Sequence, residues 1–186
     1  MAQKQINLNN TAKALDLYAK EVVKRAKRNL KIKKKIGGKY RVTDNTGKLV
    51  KSLSYKLTKG KKGINLKFTS SVPYADFIEQ GVRGKNNSTK APKSPYKFKK
   101  NNLAKGVIEN WIRTPKIKLR NEQGQFIDKS ESNIKSAAYV IGRNIASEGL
   151  SPREFMKDAI IETKKRFVAD LSKGLLKDLR TGLNIK

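Results

Sequence analysis

The sequence predicts a chain of mixed helix and strand, with a long helix towards each end and an alternating hairpin between them. Three patterns carry this reading. From Ala12, apolar residues fall at Leu15, Tyr18, Ala19, Val22, Val23, Ala26 and Leu30, the spacing of one helical face. Leu53, Tyr55 and Leu57, then Ile64, Leu66 and Phe68, alternate with polar residues as half-buried strands do. Met156, Ile160, Thr163, Phe167, Leu171 and Leu175 return to helical spacing, with Phe155, Ala159, Val168 and Leu179 widening the stripe.

In chain order, Asn9, Asn10 and Thr11 offer caps for the first helix, because their side-chain oxygens can accept from its free N–H groups. The face opposite its apolar stripe carries Lys13, Lys20, Lys24, Lys27 and Arg28, which reads either as a solvated face or as a surface for a polyanion. Lys31, Lys33, Lys34 and Lys35 follow, and Gly37-Gly38 breaks the chain. Residues 39–48 read as a loop, with Asp44-Asn45-Thr46-Gly47 as turn chemistry. The two strands are joined by Lys59-Gly60-Lys61-Lys62-Gly63, which lacks the spacing of a phosphate-binding loop.

Pro73 then suits a first helical position, and Gly81 suits a helix stop. Tyr74, Phe77 and Ile78 share one face between them and are expected to pack on the hairpin as core. Glu79 and Arg83 sit beside that face. From Gly81 to Gly106 there is no acidic residue, while prolines and lysines are frequent, so a mobile basic loop is expected. Tyr96 and Phe98 interleave with its lysines. Docking onto a neighbouring subunit and stacking on single-stranded bases both account for them, and docking is the favoured reading.

Leu103, Val107, Ile108, Trp111 and Ile112 form a short helix that Pro115 stops, with Trp111 expected as a core anchor. Ile117, Leu119, Phe126 and Ile127 flank the turn Asn121-Glu122-Gln123-Gly124 as a second hairpin. Ile134, Ala137, Ala138, Ile141 and Ile145 mark a further helix ended by Gly149. Ser151-Pro152-Arg153-Glu154 has the pattern of a capping box opening the closing helix, with Ser151 at the cap and Glu154 bonding back to it. Phe155 and Phe167 are expected in its core, and Gly174 is expected to weaken its last turns.

Composition limits function sharply. The chain has no cysteine and no histidine, which excludes disulfides, Cys/His zinc sites, and Ser-His-Asp or Cys-His catalysis. Among 186 residues, 44 are basic and 15 acidic, for a formal charge of +29 that attracts polyanions. Thirty-four of the basic residues are lysine, which argues against bidentate base reading by arginine and equally fits an AT-rich genome, since asparagine and isoleucine are plentiful too. The hydrophobic share of 37% suffices for a core, so disorder throughout is not expected. No apolar run is long enough for a membrane span, and Met-Ala-Gln-Lys-Gln-Ile-Asn-Leu has no signal-peptide core.

Four stretches in succession carry a resemblance: Thr46-Gly47-Lys48-Leu49-Val50-Lys51-Ser52-Leu53, then Val72 to Gly84 with its Tyr-Ala-Asp-Phe-Ile-Glu-Gln-Gly, then Tyr139-Val140-Ile141-Gly142-Arg143-Asn144-Ile145-Ala146, then Gly149-Leu150-Ser151-Pro152-Arg153-Glu154-Phe155-Met156 with its Pro-x-x-Phe before a closing helix. Their order resembles the head-to-tail joining and tail-completion (neck) proteins of tailed bacteriophages, over roughly residues 10–84 and 134–180. Residues 85–133 depart from the short form of that family and read as an insertion in a single domain spanning 1–186.

The resemblance implies an α+β fold: a small antiparallel sheet packed against a long N-terminal helix and a long C-terminal helix, with an inserted basic loop and second hairpin. It implies a virion structural protein that forms or joins a homo-oligomeric ring, stacks between portal or adaptor and tail, and extends the channel for double-stranded DNA. On this reading Lys31, Lys33, Lys34 and Lys35 face nucleic acid. Glu79, Arg83, Lys85, Tyr96 and Phe98 serve a subunit or ring contact. Tyr74, Phe77, Ile78, Trp111, Phe155 and Phe167 are structural. The alternative is a free, sequence-nonspecific nucleic-acid-binding protein associated with ribosome or chromatin, which charge alone favours. The sequence carries no zinc finger, no clear helix-turn-helix and no RNA-recognition string.

No catalytic constellation is found. Glu162-Thr163-Lys164 has a nuclease-like local spacing but lies within the closing helix, and Asp76 and Glu79 merely share a helix edge. No cofactor, metal or small-molecule substrate is expected.

Overall fold

The apolar stripe of the first helix finds its partner at the other end of the sequence. The computed structural model describes residues 6–36, 39–41, 47–60, 63–101, 103 and 106–183. In chain order the elements are α1 (Asn9–Lys31), β1 (Lys34–Ile36), β2 (Lys39–Arg41), α2 (Lys48–Ser52), β3 (Leu53–Gly60), β4 (Gly63–Ser70) and α3 (Ala75–Gln80). There follow β5 (Val82–Arg83), α4 (Val107–Ile112), β6 (Leu119–Arg120), β7 (Phe126–Ile127), α5 (Glu131–Glu148), β8 (Gly149–Leu150) and α6 (Phe155–Leu183). The architecture is α+β, with a long helix at either end and small antiparallel sheets between. The chain divides into two compact units, one of residues 1–75 with 154–186 and one of residues 76–153. The second unit contains the expected insertion 85–133 and extends beyond it on both sides.

In the first unit α1 buries Ala19, Val22, Ala26 and Leu30 completely. Each large aliphatic so buried contributes about 1.5–3 kcal/mol. The partner is α6, whose Phe155, Ala159 and Thr163 are buried. Three contacts fix the pair as antiparallel: Asn29 Nδ2 donates to the Phe155 carbonyl (3.2 Å), Arg25 pairs with Glu162 (3.0 Å), and Thr11 bonds Asp178. The hairpin β3–β4 lies against α1 in the register Tyr55↔Phe68 and Leu57↔Leu66. Tyr18 of α1 stacks on Phe167 of α6 with centroids 3.9 Å apart and meets Phe68 edge-on at 6.4 Å. Tyr55 donates its hydroxyl to Asp16 (2.6 Å), which Lys20 also holds at 2.8 Å. The hydrogen bond from Lys20, then that from Tyr55, lowers the Asp16 carboxyl from its ordinary value.

Several expectations need correction. Tyr74, Phe77 and Trp111 are 38%, 43% and 42% exposed rather than core. For the first two the reason is length: α3 starts only at Ala75, and among its residues Ala75 alone is buried. Ile78 is half-buried. Phe77 instead meets Tyr96 edge-to-face at 4.7 Å. Phe77→Ala should therefore cost about 1 kcal/mol, not the roughly 3–5 of a core aromatic; a larger loss in urea unfolding would restore the core reading. Trp111 turns out because Ile112, next to it on α4, takes the wholly buried position. Phe155 is buried and Phe167 half-buried.

Residues 39–41 form β2, pairing with β1 through Lys34↔Arg41 and Ile36↔Lys39, where a lysine cluster followed by a loop was expected. The Gly37-Gly38 break and most of the Asp44–Gly47 turn lie outside the described residues. The capping box is not formed: α6 starts at Phe155, and Glu154 takes a left-handed φ of 52°. The N–H of Arg153 donates instead to the Ile78 carbonyl (2.8 Å), which holds the chain extended where the helix was expected to begin.

In the second unit α4 and α5 close on a core of Ile112, Leu119, Ile134 and Ala138. Ser130 caps α5, accepting from the Asn133 N–H at 3.4 Å. The β6–β7 hairpin turns as the sequence predicts. Here β5 and β8 pair through Val82↔Leu150 and Arg83↔Gly149.

Candidate functional site

Two regions stand out. The first is α6, which carries two apolar stripes. One, with Phe155, Ala159 and Thr163, is buried on α1. The other runs along Ile161, Val168, Leu175, Leu176 and Leu183, which are 41–61% exposed. Residues 161, 168 and 175 are seven apart, so they recur on one side of the helix every two turns. The sequence reading had placed Val168 and Leu175 in the buried stripe. The structure gives that place to Gly174 and Asp178, both buried.

Asp178 itself was missed. No side chain from the sequence neighbours caps α1, whose cap position is Leu8. The Asp178 carboxylate does so across a separation of 167 residues. It accepts from the N–H groups of Asn10 (3.0 Å) and Thr11 (2.8 Å), from Asn10 Nδ2 (2.8 Å) and from Thr11 Oγ1 (2.7 Å). Burial pushes the carboxyl up, but the bonds from Thr11 and Asn10 outweigh it and hold its pKa down at about 2. A carboxylate also suits the positive end of a helix dipole.

The second region is the basic segment after Gly81. It was expected to be mobile, with Tyr96 and Phe98 lacking a place to bury at home. Its described residues are instead tied to the unit that carries them. Arg83 donates its N–H to the Tyr96 carbonyl (2.9 Å), and Phe98 donates to the Arg83 carbonyl (3.0 Å). Ser94, buried, donates its hydroxyl to the Gly81 carbonyl at 2.7 Å. Arg83, Tyr96 and Phe98 are thus brought together and half-buried, with Arg83 Nε buried and without a hydrogen-bond partner among the described residues. Glu79 is half-buried on α3, and Lys85 lies exposed beyond β5. Lys31 and Lys33 are exposed at the end of α1. The backbones of Lys34 and Lys35 lie in β1, and their side chains are outside the described residues.

Among the described residues, no group of three or more acidic side chains is placed to hold a metal, and no helix is long and apolar enough to cross a membrane. Residues 4–81 match the family model HK97-gp10_like, whose description is "Bacteriophage HK97-gp10, putative tail-component". No curated protein and no solved structure matches the chain. The matched segment runs from before α1 to Gly81, the glycine that ends α3, and so includes the Thr46–Leu53 and Tyr74–Gly81 stretches on which the likeness to head-to-tail joining proteins rests. Over residues 4–81 the chain is therefore similar to the HK97-gp10-like bacteriophage tail components, and the match does not extend to the rest of it.

Proposed function

We propose that the protein is a virion structural component that forms or joins a ring at the head–tail interface, linking portal or adaptor to tail and extending the DNA channel. The observation that carries this reading is the second apolar stripe of α6. A helix that already buries one face on its own unit, yet presents five large aliphatics on another, has the form of a subunit contact. The similarity of residues 4–81 to a tail component supports a structural tail or neck role. In this reading the protein performs no catalysis. It is assembled in the host cytoplasm, and residues 85–133 elaborate a short neck-protein plan.

The charge divides between two tasks. Lys31, Lys33, Lys34 and Lys35 face the DNA, and most of the remaining cations meet acidic neighbouring rings or solvent. Glu79, Arg83, Tyr96 and Phe98 form a further contact with a neighbouring subunit, and Lys85, expected with them, lies exposed beyond β5 and is left out of it.

The test is a pair of substitutions, Val168→Glu and Leu175→Glu. Both positions are exposed, so unfolding should shift by no more than about 0.5 kcal/mol. Native mass spectrometry should show higher oligomers for the wild type or its mixture with portal and tail proteins, and a lone subunit for the double variant. Phage supplied only with the variant should accumulate heads and tails unjoined. Full joining by the variant would overturn the proposal.

A further inference from the structure

Within the second unit, the segment after β5 and one face of α5 enclose a cavity of about 540 Å³. Among the described residues its lining is Lys85, Asn86, Asn101, Tyr139, Arg143 and Ser147, with no acid among them. Tyr139, Arg143 and Ser147 are spaced by four along α5 and so share one side of it. Gly84 makes the approach feasible: a Cβ there would lie 1.9 Å from the Ser147 carbonyl oxygen. The N–H of Lys85 donates to the Ala146 carbonyl (2.8 Å), and those of Asn86 and Asn87 donate to the Ser147 carbonyl (3.3 and 3.2 Å).

These bonds matter electrostatically. The end of a helix presents free carbonyls that repel anions. Here the loop N–H groups occupy those of Ala146 and Ser147, and Gly149 N–H occupies that of Ile145. The nearest carboxylate in sequence, Glu148, accepts from Asn87 Nδ2 at 3.1 Å. Lys85 Nζ is held by Asn101 Oδ1 (2.6 Å), and Asn86 Nδ2 donates to Ser147 Oγ (3.3 Å). Arg143 is exposed and has no acidic partner among the described residues.

We propose that this cavity binds single-stranded nucleic acid, with a backbone phosphate against Lys85 and Arg143 and a base on the ring of Tyr139. Two cations from separate parts of the chain suit a phosphodiester. Tyr139 is 58% exposed, and its ring supplies the stacking face that single-strand sites use. The amides of Asn86 and Asn101 offer both donors and acceptors to a base edge. An acidic protein surface would satisfy the cations but would not call for the ring, and a duplex keeps its base faces stacked on one another. The site lies outside residues 4–81 and stands whether or not the protein forms a ring.

The experiment is fluorescence anisotropy of the full chain with a labelled thymidine homopolymer of roughly 20 nucleotides, titrated over a range of salt. The pair Lys85→Gln with Arg143→Gln is compared with Lys90→Gln with Lys93→Gln, which removes the same charge from exposed positions of the same unit. The first pair should weaken binding about 10-fold or more near physiological salt and lower the log–log salt slope by about 0.7, the share of one phosphate on a single strand, while the second pair changes affinity by less than about 3-fold. Arg143→Gln alone should act in the same direction. Tyr139→Ala should weaken the single strand roughly 5- to 10-fold, with an unchanged salt slope and an unchanged duplex affinity. Equal losses from the two double substitutions, or a Tyr139→Ala effect shared by the duplex, would overturn the assignment. So would inorganic phosphate or thymidine monophosphate competing as tightly as the polymer, which would mark a free-phosphate or mononucleotide site.

Discussion

Asp178→Ala should destabilise the protein by about 3–5 kcal/mol, the scale of breaking a buried, hydrogen-bonded charge network. The carboxylate is 2% exposed and takes four donors from Asn10 and Thr11. Removing it strands two backbone N–H groups at the start of α1 and the buried Thr11 hydroxyl, with no neighbouring side chain to replace it. The pH dependence separates this clasp from ordinary packing. Its folded pKa of about 2 lies below the ordinary 3.8, so the stabilisation is fully present above about pH 4 and is lost as pH falls through about 2. The amount is of the order of 2 kcal/mol. Chemical denaturation at pH 7 and at intervals down to pH 2 should show the gap between wild type and Asp178→Ala narrowing by that amount. A gap constant with pH would mean that Asp178 acts through packing alone.

Gly149→Ala should be comparably severe, at about 3 kcal/mol or more. Gly149 holds φ +84° and ψ −176°, a region open essentially to glycine alone. A Cβ there would stand 2.3 Å from the Val82 carbonyl oxygen and 2.5 Å from the Gly84 nitrogen. The β5–β8 pair must part to admit it, and with it go the carbonyl contacts that seat residues 85–87 on α5. Gly124→Ala is the control, since Gly124 has a similar φ of +80° but nothing within 4 Å of its would-be Cβ. It should cost about 1 kcal/mol. Thermal melting and amide exchange at Val82, Arg83 and Leu150 report the difference. Equal penalties at the two glycines would refute the steric account.

The elements with a clear period were legible. The stripe of α1, the alternation of β3 and β4, and the Asn121–Gly124 hairpin all read directly, because period and turn chemistry are local properties. The likeness to neck proteins was legible through stretches whose order, rather than chemistry, is distinctive. What failed depended on distant partners. Glu154 looked like the N3 residue of a capping box until the Arg153 N–H was taken by Ile78. Leu175 and Val168 fitted the closing stripe as well as Gly174 and Asp178 did, and only the position of α1 selects between them. Phe77 had core periodicity on a helix of six residues, too short to bury it. The cavity residues Tyr139 and Arg143 had a local signal, their spacing of four along α5, but nothing in sequence ties them to Lys85.

The reach of the Asp178 clasp also sets a timetable. Thr11 and Asp178 are 167 residues apart, with the whole second unit between them. At typical elongation rates of roughly 5–20 residues per second, α1 emerges from the ribosome roughly 10 to 30 s before the residue that caps it. Throughout that interval its apolar face has no α6 to cover it. The nascent chain therefore displays a cationic, amphipathic segment beside ribosomal RNA, and the first unit cannot close until the second has been synthesised. An arrested chain ending near residue 150 should expose α1 to protease, and one extended far enough to release residue 183 from the ribosomal tunnel should protect it.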